Sequence, residues 1–308
     1  MITVNSLSGG KTSSYIAAHY PADIDVFSLV CIDDPQANAQ CSIKVDKKLR
    51  QMVNDRLQKY CSNMPEFVAT AEDPLTIPVI FDLEQHIGRE ITWLRGIDFY
   101  DAIKIKRSIP NRTKRWCTTI LKITPIFWFL YLYHSLPVKM RIGYRADEAH
   151  RAERFKETFI FPYQCDLGID KDGILNTNGR YKQIFYDWSI GHSLPFMHRW
   201  SEIDFRIPEF PLIDDDIDHR DVINYWSNYP IRFPKDSNCQ FCFWKHPLQL
   251  RKNFEENKSI MYTAMIMEGI NGNRFHDGIS MHGIKETGIQ TDLFEGKYGG
   301  CQGGYCTN

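Results

Sequence analysis

The sequence lacks a long hydrophobic run. Its longest apolar stretch, Ile123–Leu136, is interrupted by Thr124, Pro125 and His134 and is too short to span a bilayer. We also expect no signal peptide, since residues 1–7 form a short apolar stretch that leads directly into a Gly-rich segment. We therefore expect a cytoplasmic protein that has no membrane partner.

The sequence also lacks an excess of either charge. Its 308 residues include 37 Lys and Arg and 38 Asp and Glu, so the formal net charge is -1 and no global basic field can hold nucleic acid. One stretch is nevertheless basic and free of acids, with Lys104, Lys106, Arg107, Arg112, Lys114, Arg115 and Lys122. This stretch is either a solvated helix face or a surface that contacts phosphates.

The ten histidines are scattered and form no His-x-x-x-His or His-Glu-x-x-His helix motif. The nine cysteines are more informative. In a reducing cytoplasm they indicate metal or thiol chemistry and not a disulfide framework. Cys239 and Cys242 form a Cys-x-x-Cys turn among aromatic residues, which is half of a tetrahedral metal site. Zinc, an iron–sulfur cluster and two buried thiols all remain open for this turn.

The apolar patterning predicts an α/β fold, with an open, mostly parallel twisted sheet and helices on both faces. The predicted strands are residues 2–7, 25–32, 66–69 and 138–143, and the predicted helices include 14–20, 43–61 and 221–229. We expect residues 1–155 to form a nucleotide-binding domain. Residues 156–308 would be an irregular C-terminal appendage packed on it, with the Cys-x-x-Cys turn and a flexible Gly- and Cys-containing tail.

A Gly-rich segment follows the first predicted strand and opens the first predicted helix. Two glycines let the backbone turn sharply and present N–H groups to an anion, and the positive end of the helix adds to this attraction. The segment has neither the Walker A ending nor the Gly-x-Gly-x-x-Gly fingerprint. The predicted phosphate ligands are Ser8, Gly9, Gly10, Lys11, Thr12, Ser13 and Ser14. The alternative is a simple glycine turn.

A second polar cluster follows the predicted strand 138–143. Arg145, Asp147 and Glu148 come directly after it, at the carboxyl end of the sheet, where ligands bind in open α/β folds. Arg145 can pair with a phosphate through two N–H groups. Asp147 or Glu148 can hold a metal ion such as Mg²⁺ or orient the substrate. The alternative is an exposed, salt-bridged turn.

The segment Ser8-Gly9-Gly10-Lys11-Thr12-Ser13 resembles the Ser-Gly-Gly-x-x-Ser loop of the PP-loop ATP pyrophosphatases. That superfamily includes phosphoadenosine-phosphosulfate (PAPS) reductases, the sulfurylase that makes adenosine phosphosulfate, thiouridine-forming tRNA enzymes and enzymes that place phosphorothioate in DNA. The stretch around Arg145 and Glu148 is similar to Gly-(Ile/Tyr)-Arg-x-x-Glu of the PAPS reductase-like branch, and residues 211–213 and 221–226 extend the likeness. The resemblance implies an adenine nucleotide alpha hydrolase-like fold.

The same resemblance implies a metal site. Cys117, Lys122 and Pro125 match a Cys-Cys-x-x-x-Lys-x-x-Pro segment whose cysteines join a later Cys-x-x-Cys around a four-iron cluster, and Thr118 replaces the second cysteine. The implied ligands are Cys117, Cys239 and Cys242, with Cys306 as a fourth. In PAPS reductases a cysteine on the C-terminal tail is the nucleophile, so Cys301 or Cys306 is a ligand, a nucleophile or neither.

The function that the resemblance implies is that of an enzyme. It would bind ATP with Mg²⁺, or adenylyl sulfate, for adenylation-linked sulfur chemistry, with a 4Fe-4S cluster or, alternatively, Zn²⁺. The expected catalytic residues are Lys11, Arg145, Glu148, Cys301 and Cys306. A nucleic acid or a protein would accept the sulfur, and a homo-oligomer is compatible with the sequence. The alternative is an inactive nucleotide-sensing or partner-binding protein with a structural zinc, since Thr12 stands where many relatives have Asp.

Overall fold

The computed structural model describes residues 1–32, 45–153, 159–164, 185–187, 192–194 and 200–288. Its strands are β1 (Thr3–Leu7), β2 (Ile24–Leu29), β3 (Cys31–Ile32), β4 (Ala69–Thr70), β5 (Ile91–Arg95), β6 (Val138–Arg141), β7 (Phe159–Gln164), β8 (Phe185–Asp187), β9 (His192–Leu194) and β10 (Trp200–Glu209). Its first helices are α1 (Lys11–His19), α2 (Lys47–Cys61), α3 (Thr76–Ile87), α4 (Phe99–Lys106), α5 (Trp116–Thr118), a π-helical turn (Thr119–Ile123) and α6 (Thr124–Tyr133). A 3-10 turn (Ala146–Glu148), α7 (Ala149–Ala152), α8 (Pro211–Asp214), α9 (His219–Ser227), α10 (Pro247–Glu256), α11 (Lys258–Asn271) and α12 (Met281–Glu286) follow.

The central sheet has the strand order β5-β2-β1-β6-β10-β7. Strands β5, β2, β1, β6 and β10 are parallel, and β7 pairs antiparallel with β10. The chain moves from β1 through β2 to β5 and then returns to place β6 on the other side of β1. The strand order therefore reverses between β1 and β6, and this is the switch point at which open α/β sheets bind ligands. The predicted α/β class with a mostly parallel sheet is confirmed.

Both faces of the sheet are covered by helices. One face buries Phe27 and Trp93 against α1 and α3, and the other buries Val26 and Met140 against α6. The two strands β2 and β5 are buried at all but one position each, as strands covered on both faces generally are. Among the described residues, no helix is long and apolar enough to cross a membrane.

Two of the predicted strands differ in the structure. The predicted strand 25–32 divides, and its last part becomes β3, which pairs antiparallel with β4 in a separate ribbon. The predicted third strand, 66–69, is therefore wrong as a member of the central sheet. That place is taken by β5, which pairs with β2. Its sequence Ile-Thr-Trp-Leu-Arg is typical of a buried strand, and it follows the left-handed Gly88 that ends α3.

The later part of the chain contributes to the same sheet and core. Strand β10 pairs parallel with β6, so that Arg206 lies beside Val138 and Glu209 beside Arg141. Phe241 and Leu250 share an apolar cluster with residues of α4 and the π-helical turn. The central sheet thus takes strands from both predicted units, and their division at residue 155 stays a prediction. The tail, 296–308, lies outside the described residues.

A buried carboxyl in α11 predicts a pH effect on stability. Glu268 accepts N–H groups of Phe275 (2.9 Å) and Met281 (2.7 Å). Burial raises the pKa of Glu268 above its ordinary value near 4.5. The folded chain therefore binds this proton more tightly than the unfolded chain, and the contribution of Glu268 to stability falls as the pH rises through its folded pKa.

Urea unfolding of wild type and Glu268→Gln between pH 4.5 and pH 8 measures this effect. We expect the wild-type minus variant difference in unfolding free energy to fall as the pH rises. Glu255→Gln is the matched control, and its difference should stay nearly constant over this range, because the hydrogen bond from Arg251 lowers the pKa of Glu255 and its pH effect lies at more acidic pH. A Glu268 difference that stays constant or rises with pH would contradict the assignment.

Candidate functional site

A cleft of about 660 Å³ opens at the carboxyl ends of β1 and β6, at the point where the strand order reverses. Its ionisable lining residues are Lys11, Lys122, Arg145, Arg206, His219, Lys235 and Asp236. Its apolar lining includes Leu7, Ile123, Ile126, Met140, Ile142, Phe205, Val222 and Phe233. Among the described lining residues Asp236 is the only carboxylate, so the cleft is suited to an anionic ligand with an apolar part.

The turn between β1 and α1 depends on a glycine at its start. Gly9 has φ +73°, in the left-handed region, and a Cβ at this position would stand 2.6 Å from Thr76 Cγ2. Only glycine combines this backbone conformation with so close a neighbour. The turn is thus fixed against the start of α3.

Serine hydroxyls hold the rest of the loop. Ser8 N–H donates to Ser13 Oγ at 3.1 Å, and Ser13 Oγ donates to the carbonyl of Gly10 at 3.1 Å. Gly10 is in an extended conformation as the N-cap of α1 and contributes no side-chain cap. Since the first N–H groups of an α-helix have no acceptor within the helix, those of Lys11, Thr12 and Ser13 are available to an anion at the cleft.

The start of α1 is also held from the C-terminal half of the chain. Trp226 in α9 donates its indole N–H to the carbonyl of Lys11 at 2.9 Å. The first turn of α1 contains no acidic residue, so its partial positive charge is not offset within the helix. This helix end therefore favours a negatively charged ligand.

Arg145 approaches the loop from the end of β6. Its Nη1 donates to Thr12 Oγ1 at 3.2 Å, and its Nε and Nη2 donate to the two carboxylate oxygens of Asp147 at 2.9 and 3.0 Å. Its side chain is buried, whereas Asp147 is partly exposed. The hydrogen bonds from Arg145 hold the pKa of Asp147 below its usual range. Asp147 thus orients Arg145 toward Thr12.

Glu148 lies behind this pair. Its carboxylate is 3.3 Å from Arg145 Nη2 and accepts Arg151 Nη1 at 2.9 Å. Burial raises the pKa of Glu148, while the two arginines oppose this shift. Neither Asp147 nor Glu148 is among the described lining residues of the cleft. Their contacts fit a role in positioning Arg145.

The remaining loop residues occupy different places. Ser8, Gly10, Lys11, Thr12 and Ser13 line the cleft. Gly9 is packed on Thr76 and does not line it. Ser14 is fully buried beneath the turn, and its hydroxyl has no hydrogen-bond partner among the described residues.

Two basic side chains of the cleft were not found from the sequence. Arg206 lies on β10, 7% exposed, with Nη1 3.3 Å from Met140 Sδ, and burial lowers its pKa to about 10. Arg206 is therefore cationic at neutral pH. Lys235, which precedes Asp236, also lines the cleft. Neither belongs to a motif, because the fold alone brings β10 and residues 233–238 to the cleft.

The basic stretch 104–122 does not form one helix face. Lys104 and Lys106 lie in the last turn of α4, while Arg112 and Arg115 lie 5.5 and 5.0 Å from the ring centroid of Trp244. Lys122 lines the cleft and donates to the fully buried Glu72 at 2.7 Å. The stretch thus supplies one cation to the cleft.

The Cys-x-x-Cys residues lie on a tight turn. Cys242 N–H donates to the carbonyl of Cys239 at 3.0 Å, and Cys117 and Cys239 pack against the same apolar cluster. No described cysteine forms a disulfide with another. In the part of the chain that the structure describes, no three His, Cys, Asp or Glu side chains form a group that could hold a metal. Cys301 and Cys306 lie outside the described residues, so the four-cysteine site stays a prediction.

Comparisons with known proteins give one partial match. A stretch of 74 residues, 24% of the chain, is 34% identical to the uncharacterised protein MJ0066 of Methanocaldococcus jannaschii. The match covers 15% of that protein's length, and its name assigns no activity. No family model and no solved structure matches the chain.

Proposed function

We propose that the chain is a PP-loop enzyme of the PAPS reductase-like group, which binds ATP or a related adenine nucleotide for adenylation-linked sulfur chemistry. The observation that carries the proposal is the place of the Ser8–Ser13 loop. It opens α1 at the switch point between β1 and β6, and it lines a cleft whose described charged residues are mostly basic. A phosphate chain and an apolar base fit this combination.

The loop and Arg145 would bind the phosphates. Residues 11–13 at the start of α1 line the cleft, and Arg145 reaches it beside Thr12. The backbone at the start of α1 and the Arg145 guanidinium are fixed before the ligand arrives, because Trp226 binds the Lys11 carbonyl and Asp147 binds Arg145. Fixed donors can stabilise the charge that develops on a departing pyrophosphate without reorganisation. We therefore assign transition-state stabilisation to Lys11 and Arg145, and positioning to Glu148.

Magnesium, when bound with ATP, would help to neutralise the phosphate charge, and it is usually held by phosphates, waters and one or two carboxylates. Asp236 is the carboxylate among the described lining residues, and because Lys245 engages both of its oxygens, phosphates and waters would supply most of the magnesium ligands. The sulfur acceptor, a nucleic acid or a protein, is proposed from the family resemblance. The described cysteines do not form a cluster site on their own, so no step depends on a cluster here.

Calorimetric titration with ATP and Mg²⁺, followed by detection of AMP and pyrophosphate, tests the proposal. We expect Lys11→Met to weaken ATP binding by about 10-fold or more, since one charge-assisted hydrogen bond contributes roughly 1.5–3 kcal/mol. Lys104→Met is the matched control, because Lys104 is exposed and pairs with Asp101 outside the cleft.

The outcomes separate the alternatives. AMP and pyrophosphate formation that is lost in Lys11→Met supports the enzyme. Tight binding of ATP with no turnover in the presence of any acceptor would favour the nucleotide-sensing protein. Wild-type protein that binds neither ATP, AMP nor adenylyl sulfate would overturn both.

A further inference from the structure

We propose that Ser237 is a phosphate ligand of the nucleotide, and that the buried ion pair of Asp236 and Lys245 holds it in place. This inference rests on the proposed nucleotide-binding function. It concerns residues 233–238, which line the cleft beside the loop and belong to no recognised motif. We call these residues the 233–238 wall.

Ser237 lies directly beside Gly10 of the Ser8–Ser13 loop. A Cβ built on Gly10 would lie 3.1 Å from both Cβ and Oγ of Ser237. Gly10 is the N-cap of α1, so the Ser237 hydroxyl lies beside the N–H groups that open this helix. An anion bound to those N–H groups would be within reach of this hydroxyl. Ser237 also lines the cleft, whereas Ser14 of the loop is buried beneath it.

The neighbouring carboxylate fixes this position. Asp236 Oδ1 accepts the N–H of Asn238 at 3.1 Å, which closes a turn around Ser237. Both carboxylate oxygens of Asp236 also accept the ammonium of Lys245. The side chains of Asp236 and Lys245 are 9% and 1% exposed, so this pair is shielded from solvent.

Lys245 is itself held by the Cys-x-x-Cys turn. Its N–H donates to the carbonyl of Cys242 at 2.9 Å. Two residues before Cys242, Gln240 donates its N–H to Ala71 at 2.8 Å and accepts Asn253 Nδ2 at 2.7 Å. The turn is thus anchored to the core. Because Lys245 belongs to this turn and Asp236 to the 233–238 wall, their ion pair holds the wall against the turn.

The energetics of buried charges explain why the pair matters. Burying an ammonium group is costly unless a partner compensates it. Without Asp236, Lys245 would be an isolated buried cation, and without Lys245, Asp236 would be driven toward solvent. Either change would release the turn that carries Ser237 from its place over Gly10. Lys245 and Asp236 are therefore positioning residues that act through Ser237.

The first test replaces the ligand residue alone. In titrations with ATP and Mg²⁺, Ser237→Ala is expected to weaken binding about 10-fold, the effect of one hydrogen bond to a charged group. Its unfolding midpoint in urea should stay at the wild-type value, because the hydroxyl faces the cleft. The matched control is Ser227→Ala, whose exposed hydroxyl donates to Asn224 at the end of α9 and should change neither quantity.

The second test asks whether the pair acts through Ser237. Lys245→Met should weaken ATP binding at least as much as Ser237→Ala, and adding Ser237→Ala to it should weaken binding no further. This non-additivity is the signature of a shared role, and a purely structural role would not produce it. If Lys245→Met does not fold, Asp236→Asn, which keeps the shape of the side chain, replaces it in this double-mutant cycle with Ser237→Ala.

Each outcome has one meaning. Wild-type affinity in Ser237→Ala, with wild-type protein that binds ATP, overturns this inference and leaves the proposed function standing. Additive effects of Ser237→Ala and the pair variants overturn the positioning role. If wild-type protein binds no adenine nucleotide, the proposed function fails and the inference fails with it.

Discussion

Replacing Gly9 by alanine is expected to lower the free energy of unfolding by about 3 kcal/mol and to abolish the proposed binding of ATP. A left-handed conformation costs a non-glycine residue roughly 1–2 kcal/mol. The added Cβ also meets Thr76 Cγ2 at 2.6 Å, so the loop or the start of α3 must move. Either movement displaces the N–H groups that open α1. Urea unfolding and calorimetric titration measure the two effects.

Two further variants separate conformation from contact. Gly88→Ala is the matched control, since Gly88 has φ +65° and no atom within 4 Å of an added Cβ. It should therefore show the conformational cost alone. Adding Thr76→Ser to Gly9→Ala removes the methyl group in the way and should restore part of the lost stability. A Gly9→Ala variant no less stable than Gly88→Ala would contradict the described packing.

Replacing Lys122 by methionine is expected to destabilise the fold by about 3 kcal/mol, the lower end of the usual cost of breaking a buried ion pair, because the Lys122 side chain is 27% exposed. Lys122 Nζ lies 2.7 Å from Glu72 Oε1, and the Glu72 side chain is completely buried. Glu72 also accepts the N–H of Val30 at 3.4 Å. Loss of the ammonium leaves a carboxylate without its charge partner beside the cleft.

Chemical denaturation of three variants checks this expectation. Glu72→Gln combined with Lys122→Met removes both charges and should recover most of the stability, because no isolated charge remains. Lys104→Met, which breaks an exposed pair, should cost roughly 0–1 kcal/mol. If Lys122→Met is as stable as Lys104→Met, Lys122 does not compensate the charge of Glu72 and the expectation is wrong.

The elements around the Ser8–Ser13 loop could be predicted because their signals are local. An apolar strand, two glycines and a row of hydroxyls occur within residues 2–14, so their order alone predicts β1, the turn and α1. Strand β6 and the position of Arg145 were predictable for the same reason, because Arg145 follows shortly after the predicted strand 138–143. The parallel sheet was also predictable, since the alternation of apolar runs and helices requires crossover connections.

The rest depends on contacts between residues far apart in sequence. Nothing near Arg206 indicates that β10 will pair with β6, and nothing near Ser237 indicates that it will lie over Gly10. The displaced strand 66–69 has a similar cause. Short apolar runs do not specify a neighbour, and β5, with five residues, offers β2 a longer ladder than the two residues of β4.

The position of β6 has a consequence for the order of events during synthesis. β6 lies between β1 and β10, so until residue 209 has left the ribosome its outer edge lacks the parallel partner. The 233–238 wall, which includes Ser237, leaves the ribosome after β10. A nascent chain that ends before residue 238 thus has the glycine loop and no complete cleft. If the cleft binds ATP as proposed, ATP would therefore not stabilise the nascent first half of the chain. It would bind only after residues 233–238 have been synthesised and have completed the cleft.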